Sequence, residues 1–206
     1  MGILSRDIIF WEVDTQKDFM LPGGKLYVPG AEKLLPNIRK LTQAARDGRV
    51  FLVSHGCFHA PDDPEFQIFP PHCVKGTEGS EYIPEALAGK VYRVSNDSSA
   101  TLPPDLFQYQ QVLLEKQTLD IFQSRHADDL VKLFPRDAQF VVFGVVTEYC
   151  VAFAAKGLLQ RGHRVSIVKD AIETLKPEDA QNMIAELTRL GANFITTDQA
   201  LQLLKS

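Results

Sequence analysis

The chain has 206 residues, 45% hydrophobic and 23% charged, with a net charge of −4 and a pI near 5.7. That length suits one domain, 1–206, with a sizeable core, and the mildly acidic balance excludes the polycationic surface of a nucleic-acid binder. No apolar run approaches the roughly 20 residues that cross a bilayer, no secretory signal opens the chain, and Cys57, Cys73 and Cys150 cannot all pair with one another, so a reducing cytoplasm is the expected compartment.

In chain order, the first apolar run, 8–13, lacks the polar alternation of an exposed strand and reads as a buried parallel strand. A helical pattern covers 31–46, and a second buried strand follows at 50–53. Between 54 and 99 the periodicity fails, with Pro61, Pro64, Pro70, Pro71 and Pro84 set among His, Asp, Glu and Gly residues. A loop of that length in a compact domain is usually functional. Beyond it, strands at 111–114, 139–143, 165–168 and 194–196 alternate with helices at 125–133, 151–160 and 177–190. Pro177 suits a first helical turn, and Gly162 and Gly191 stand where helices stop. This βαβ series predicts an α/β domain with a parallel sheet. The chain has neither a Gly-x-Gly-x-x-Gly nor a Walker motif, so no nucleotide cofactor is expected, and Gly2 lacks the downstream Ser or Thr of a myristoylation signal.

In an open parallel sheet, reactive groups collect beyond the carboxyl ends of the strands. Asp14 ends the first strand, residues 54–59 follow the second, Lys116 ends the 111–114 strand, and Cys150 follows the 139–143 strand as a helix begins. A helix start offers unpaired N–H groups and the positive dipole end, which favour a thiolate. On that reading Cys150 attacks a carbonyl carbon, Asp14 carries the proton to a departing amine, and Lys116 favours the charged thiolate and holds the carboxylate. The backbone N–H groups of Val146 and Cys150 are placed to receive the oxyanion. Each residue also has a plainer reading: a buried cysteine as a small hydrophobe, Asp14 as a turn cap, Lys116 as a solvated charge. A non-catalytic binding module on the same fold is the competing class.

Four segments, in order, carry a resemblance. They are Val13-Asp14-Thr15-Gln16-Lys17-Asp18-Phe19, then Phe69 to Gly79 around Pro71-His72-Cys73, then Glu115-Lys116, then Gly144-Val145-Val146-Thr147-Glu148-Tyr149-Cys150-Val151. The chain resembles the isochorismatase-like cysteine hydrolases, and within them the nicotinamidases. The resemblance implies a Rossmann-like parallel sheet with helices on both faces and a thioester mechanism that expels ammonia from a small-molecule amide, most simply nicotinamide in NAD salvage. It implies the catalytic set Asp14, Lys116 and Cys150, a substrate pocket with Phe19 and Tyr149, a cis Val145–Val146 peptide, and a homo-oligomer.

It also implies a divalent metal, zinc, iron or manganese, held by an Asp-x-His pair and two further histidines that grips the pyridine nitrogen. His59 and His72 match two of those positions, while Cys57 stands at the carboxylate position and Glu65 at the second histidine position. Cys57, His59, Glu65 and His72 are all competent zinc ligands, so a site with altered ligands is expected. A solvated acidic loop of Asp62, Asp63 and Glu65 with no metal is the alternative. Relatives without the metal hydrolyse other small amides and ureido compounds. His55, His126 and His163 receive surface or structural places. Phe10, Trp11, Phe19, Phe58, Phe66 and Phe69 suit either a flat pocket or core packing.

Overall fold

The computed structural model describes residues 7–205 apart from the Arg125 side chain, so Gly2 lies outside the described residues. Seven strands pair parallel throughout one sheet: β1 (Ile8–Val13), β2 (Phe51–Cys57), β3 (Val91–Val94), β4 (Gln111–Lys116), β5 (Gln139–Val145), β6 (Arg164–Glu173) and β7 (Asn193–Ile195). Their spatial order is β3-β4-β2-β1-β5-β6-β7. The chain therefore leaves β1 towards β2 and leaves β5 towards β6, in opposite directions across the sheet. The crevice between the carboxyl ends of β1 and β5 is the switch point at which open α/β sheets bind ligands.

The helices are α1 (Lys17–Met20), α2 (Leu35–Arg46), α3 (Arg125–Val131), α4 (Ala152–Gln160), α5 (Pro177–Arg189) and α6 (Thr197–Gln202). Alternate residues of β1 point to opposite faces, which creates two cores. Ile9, Trp11 and Val13 pack with Ala127 and Leu130 of α3, Ala154 and Leu158 of α4 and Leu187 of α5. Phe10 packs on the other face with Ile38, Leu41 and Ala45 of α2 and Ala200 of α6. The 38, 41, 45 spacing is one helical stripe, and truncating Leu41 to alanine would cost about 2–5 kcal/mol. Among the described residues, no helix is long and apolar enough to cross a membrane.

Several boundaries differ from the sequence reading, each for a physical reason. Ser54 and His55 lie inside β2, not beyond it, because the fold satisfies or buries them: Ser54 Oγ donates to Glu12 Oε2 at 2.7 Å, and His55 packs against Trp11. Edge strand β3 falls inside the segment expected to be loop, since it has four residues and only Val94 is buried. Residues 31–34 form a 3-10 turn before α2. Thr196, expected in the last strand, caps α6 through a reciprocal bond pair with Gln199. That Thr-x-x-Gln spacing is a capping-box signal and was readable in the sequence.

Between β5 and α4 the chain makes a wide π-helical turn, Thr147–Val151, in which Tyr149 is non-helical (φ −117, ψ −106). Cys150 therefore sits in this turn, not in the first turn of an ordinary α-helix. The Val145–Val146 peptide is cis. Gly144 has φ 118, and a Cβ there would stand 2.0 Å from the Val13 carbonyl oxygen. Only glycine lets β5 approach β1 this closely in that conformation.

Candidate active site and metal centre

Four strand ends deliver the reactive groups. Asp14 follows β1, Cys57 ends β2, Lys116 ends β4, and Cys150 lies in the turn after β5. Asp14 leaves the strand at φ 48, a left-handed conformation that aspartate tolerates better than most residues, and its N–H donates to the His55 carbonyl at 2.9 Å. The turn aims its carboxylate at Lys116, whose Nζ lies 3.0 Å from Asp14 Oδ2. Both side chains are essentially inaccessible to solvent. The same ammonium sits 2.8 Å from Cys57 Sγ and 3.5 Å from Cys150 Sγ. Asp14, Lys116 and Cys150 thus come together as expected, and Cys57 joins them as a second thiol.

Burial sets the electrostatics. Burial works against the Lys116 charge, but Asp14, Cys150 and Cys57 outweigh it and hold the ammonium firmly protonated. Asp14 is pushed up to about 7, by burial first and then by the Cys57 charge, with Lys116 only partly compensating. Its hydrogen bond with Cys150 and the nearby Lys116 pull the Cys57 thiol well down, against its burial. That bond, burial and the Asp14 charge push the Cys150 thiol well up. The shift towards thiolate expected at Cys150 from a helix start thus runs instead towards Cys57, the sulfur nearer to Lys116. An Asp14 poised near neutrality beside a protonated Cys150 is suited to receiving its proton.

The second wall carries metal-ligating groups. One donor atom each from Cys57, His59 and His72 lies within 4.8 Å of the others, and all three residues are buried. Glu65 Oε1 stands 3.9 Å from both His59 Nε2 and His72 Nε2. The other ring nitrogens are already engaged: His59 Nδ1 with Asp63 Oδ2 at 2.9 Å, and His72 Nδ1 with the Pro70 carbonyl at 2.9 Å. Donation from Nδ1–H fixes the tautomer that turns a bare Nε2 inward, the usual outer support of a metal-bound histidine. His59 Nε2 is buried with no hydrogen-bond partner, an orphan that a cation would satisfy. Burial opposes charge on His59, yet the Cys57 sulfur and then Asp63 push its pKa up to about 9, so that a cation on Nε2 would take the place of a proton there. This orphaned nitrogen and the Cys-His-His-Glu donor set fit a divalent, zinc-like ion. Asp63, one of the three acidic residues of the alternative solvated loop, is the support of His59.

Both walls share a narrow cavity of about 20 Å³, lined among others by Asp14, Phe19, Cys57, Glu65, His72, Val146, Tyr149, Cys150 and Leu175. Phe19 and Tyr149 therefore stand where a pocket was expected. Phe69 lines it too, edge-on to Tyr149, while Phe66 packs against His59 and His72. Phe10 and Trp11 belong to the two cores, and Phe58 stacks on Tyr82, so these three aromatics are not pocket walls. His55, His126 and His163 are all buried, so of the surface and structural places expected for them the structural one holds. Burial and Lys116 hold His55 neutral, 3.8 Å from Asp14 Oδ1.

Some residues that shape the site were not singled out in the sequence. Gln16 grips the Cys57 backbone at both ends: its Nε2 donates to the Cys57 carbonyl at 2.6 Å, and its Oε1 accepts the Cys57 N–H at 2.8 Å. Asp18 accepts the Cys73 N–H at 2.7 Å and so anchors the loop that carries His72. Gln16 and Asp18 lie inside a recognised motif, but their partners are 41 and 55 residues away. Leu26, which follows the first recognised motif, lines the cavity too, and Leu119 and Leu175 complete its wall with no sequence signal beyond being apolar.

Residues 9–199 match the isochorismatase domain family. The chain is 24% identical over 212 residues to the nicotinamidase of Escherichia coli, covering 89% of this chain and 92% of that protein. The crystal structure of a pyrazinamidase from Pyrococcus horikoshii in complex with zinc superposes with a TM-score of 0.73 at 24% identity, over 92% of this chain and 99% of that one. The N-carbamoylsarcosine amidase of Thermoplasma acidophilum gives 0.70 at 26% identity, over 93% and 96% of the two chains.

Proposed function

We propose that this chain, which belongs to the isochorismatase family, cleaves a small amide to acid and ammonia through a thioester on Cys150, with nicotinamide the best-fitting substrate. It is a hydrolase of carbon–nitrogen amide bonds. The observation that carries the finer reading is the contact of one buried ammonium, Lys116 Nζ, with both Asp14 and Cys150 in a cavity whose other wall is Cys57, His59, Glu65 and His72.

Cys150 Sγ bonds to the carboxamide carbon as its proton passes to Asp14. The oxyanion is received by the backbone N–H groups of Val146 and Cys150. Collapse breaks the carbon–nitrogen bond, and the proton on Asp14 goes to the leaving ammonia. Asp14 then takes a proton from water, whose oxygen attacks the thioester, and release of the acid returns the proton to the thiol. Lys116 holds the Asp14 carboxylate throughout. Phe19, Phe69 and Tyr149 offer flat apolar faces to a planar ring. Cys57, His59, Glu65 and His72 would hold zinc, which would bind a lone pair of the substrate ring and so fix its orientation.

Likeness to an N-carbamoylsarcosine amidase supports a second reading, a metal-independent hydrolase of a ureido compound. The orphaned His59 Nε2 favours the first. Three free cysteines fit a reducing cytoplasm, where an NAD-salvage amidase would act. An ammonia-release screen of nicotinamide, pyrazinamide, ureido acids and aliphatic amides, with metal measured in untagged protein, tests both readings. Turnover confined to ureido compounds in metal-free protein would overturn the first.

A further inference from the structure

A single buried carboxylate fastens the β6–α5 connection to the nucleophile turn. Glu148, 6% exposed, accepts hydrogen bonds from Thr174 Oγ1 at 2.7 Å, the Leu175 N–H at 3.0 Å and the Lys176 N–H at 2.7 Å. Thr147 Oγ1 adds a second tie by donating to the Glu173 carbonyl at 2.8 Å. Between these bonds stands Leu175, whose side chain lines the same cavity as Val146, Tyr149 and Cys150. Glu148, inside the nucleophile turn, thus ties one wall of the cavity to the turn that carries the attacking sulfur. Three donors on one carboxylate make that tie stiff.

We propose that Leu175 is a specificity-determining residue that sets the width of the substrate cavity, and that Glu148 is the positioning residue that keeps it there. The proposal rests on the amidohydrolase reading. Leu175 is one of the apolar residues that close the cavity to about 20 Å³, less than a planar ring needs, so a ring enters only as that wall yields, and a wider ring needs it to yield further. Each methylene of such a wall changes discrimination by about 10–200-fold. The structural alternative is that Glu148 only caps the start of α5, whose preceding N–H groups it accepts. Capping alone would leave discrimination between substrates untouched.

The test compares kcat/KM for nicotinamide and for the wider quinoline-3-carboxamide in wild type, Leu175→Ala, Thr174→Val, Glu148→Ala and Glu148→Gln. The ratio is expected to shift towards the wider amide by at least about tenfold in Leu175→Ala. Thr174→Val and Glu148→Ala should shift it less in the same direction, and Glu148→Gln, which keeps an acceptor, should lie nearer wild type. An unchanged ratio in Leu175→Ala overturns the proposal. Should Glu148→Ala fail to fold, Thr174→Val still reads the tie, because it removes one of the three donors to Glu148, with the acceptor of a longer Lys176 N–H bond, and leaves the carboxylate in place. If wild type turns over neither amide, it is the nicotinamide reading of the substrate that fails. Cavity width is then read by peptide-resolved alkylation of Cys150 with iodoacetamide and with N-phenylmaleimide. Leu175→Ala should speed the bulky reagent relative to the small one, and equal acceleration of both would sink the assignment.

Discussion

The ammonium of Lys116 lies 2.8 Å from the sulfur of Cys57, nearer than its 3.5 Å to the sulfur of Cys150. One lysine thus serves two thiols, one facing the donor atoms of His59 and His72 and the other facing the cavity in which an amide carbon would sit. Their division of labour is the first thing to test.

Cys150→Ala should lose turnover by at least about 10³-fold, while circular dichroism and melting stay close to wild type. The removed sulfur is buried but small, so the fold tolerates its loss. A Cys150→Ala protein that still releases ammonia would sink the thioester mechanism.

Cys57→Ala should lower zinc affinity by at least about tenfold, measured by competition with a chelator, because one of four proposed donors disappears. Cobalt-loaded wild type should show a thiolate-to-metal charge-transfer absorption that Cys57→Asp lacks. Unchanged absorption in Cys57→Asp would remove Cys57 from the ligand set.

Glu12 gives a pH dependence of stability that is separate from the site. It is fully buried, and burial, only partly offset by the Ser54 hydroxyl, raises its pKa from 4.5 to about 8. The folded state therefore keeps a proton that the unfolded chain releases at lower pH. This contribution to stability is complete below pH 4.5, falls by about 1.4 kcal/mol per unit as pH rises towards 8, and is then exhausted. Glu12→Gln, which mimics the protonated form, should flatten that decline in denaturant melts between pH 5 and 8. An equally steep decline in the variant would show that another group is responsible.

Gly144→Ala should destabilise the protein by more than about 2 kcal/mol, since the new Cβ meets the Val13 carbonyl at 2.0 Å in a backbone conformation that alanine avoids. Thermal unfolding checks this directly. A variant with wild-type stability would mean that β1 and β5 can part without cost.

Much of the fold was legible because interior parallel strands are continuous apolar runs. β1 matched its run of residues, and β5 was read correctly as far as Phe143. What escaped were elements whose stability comes from partners: β3, half-exposed at the sheet edge, and the end of β2, where Ser54 and His55 break the apolar run but find Glu12 and Trp11. Asp14, Lys116 and Cys150 were legible because each stands next to a strand end within a recognised motif. Glu148 stood in plain view in the same motif as Cys150, yet its three donors lie 26 to 28 residues further along.

By itself, the sequence determined which residue types would stand at the rim of a parallel sheet, because strand periodicity and chain order are local properties. It also determined the departures at Cys57 and Glu65. Only the tertiary structure decided that Cys57 is the thiol nearest Lys116 and that Leu175 lines the same cavity as Cys150. Those distances depend on the sheet order β3-β4-β2-β1-β5-β6-β7 and on buried hydrogen bonds that join segments far apart in the chain. Burial then set the charges, since a carboxylate, two thiols and an ammonium removed from water respond mainly to one another.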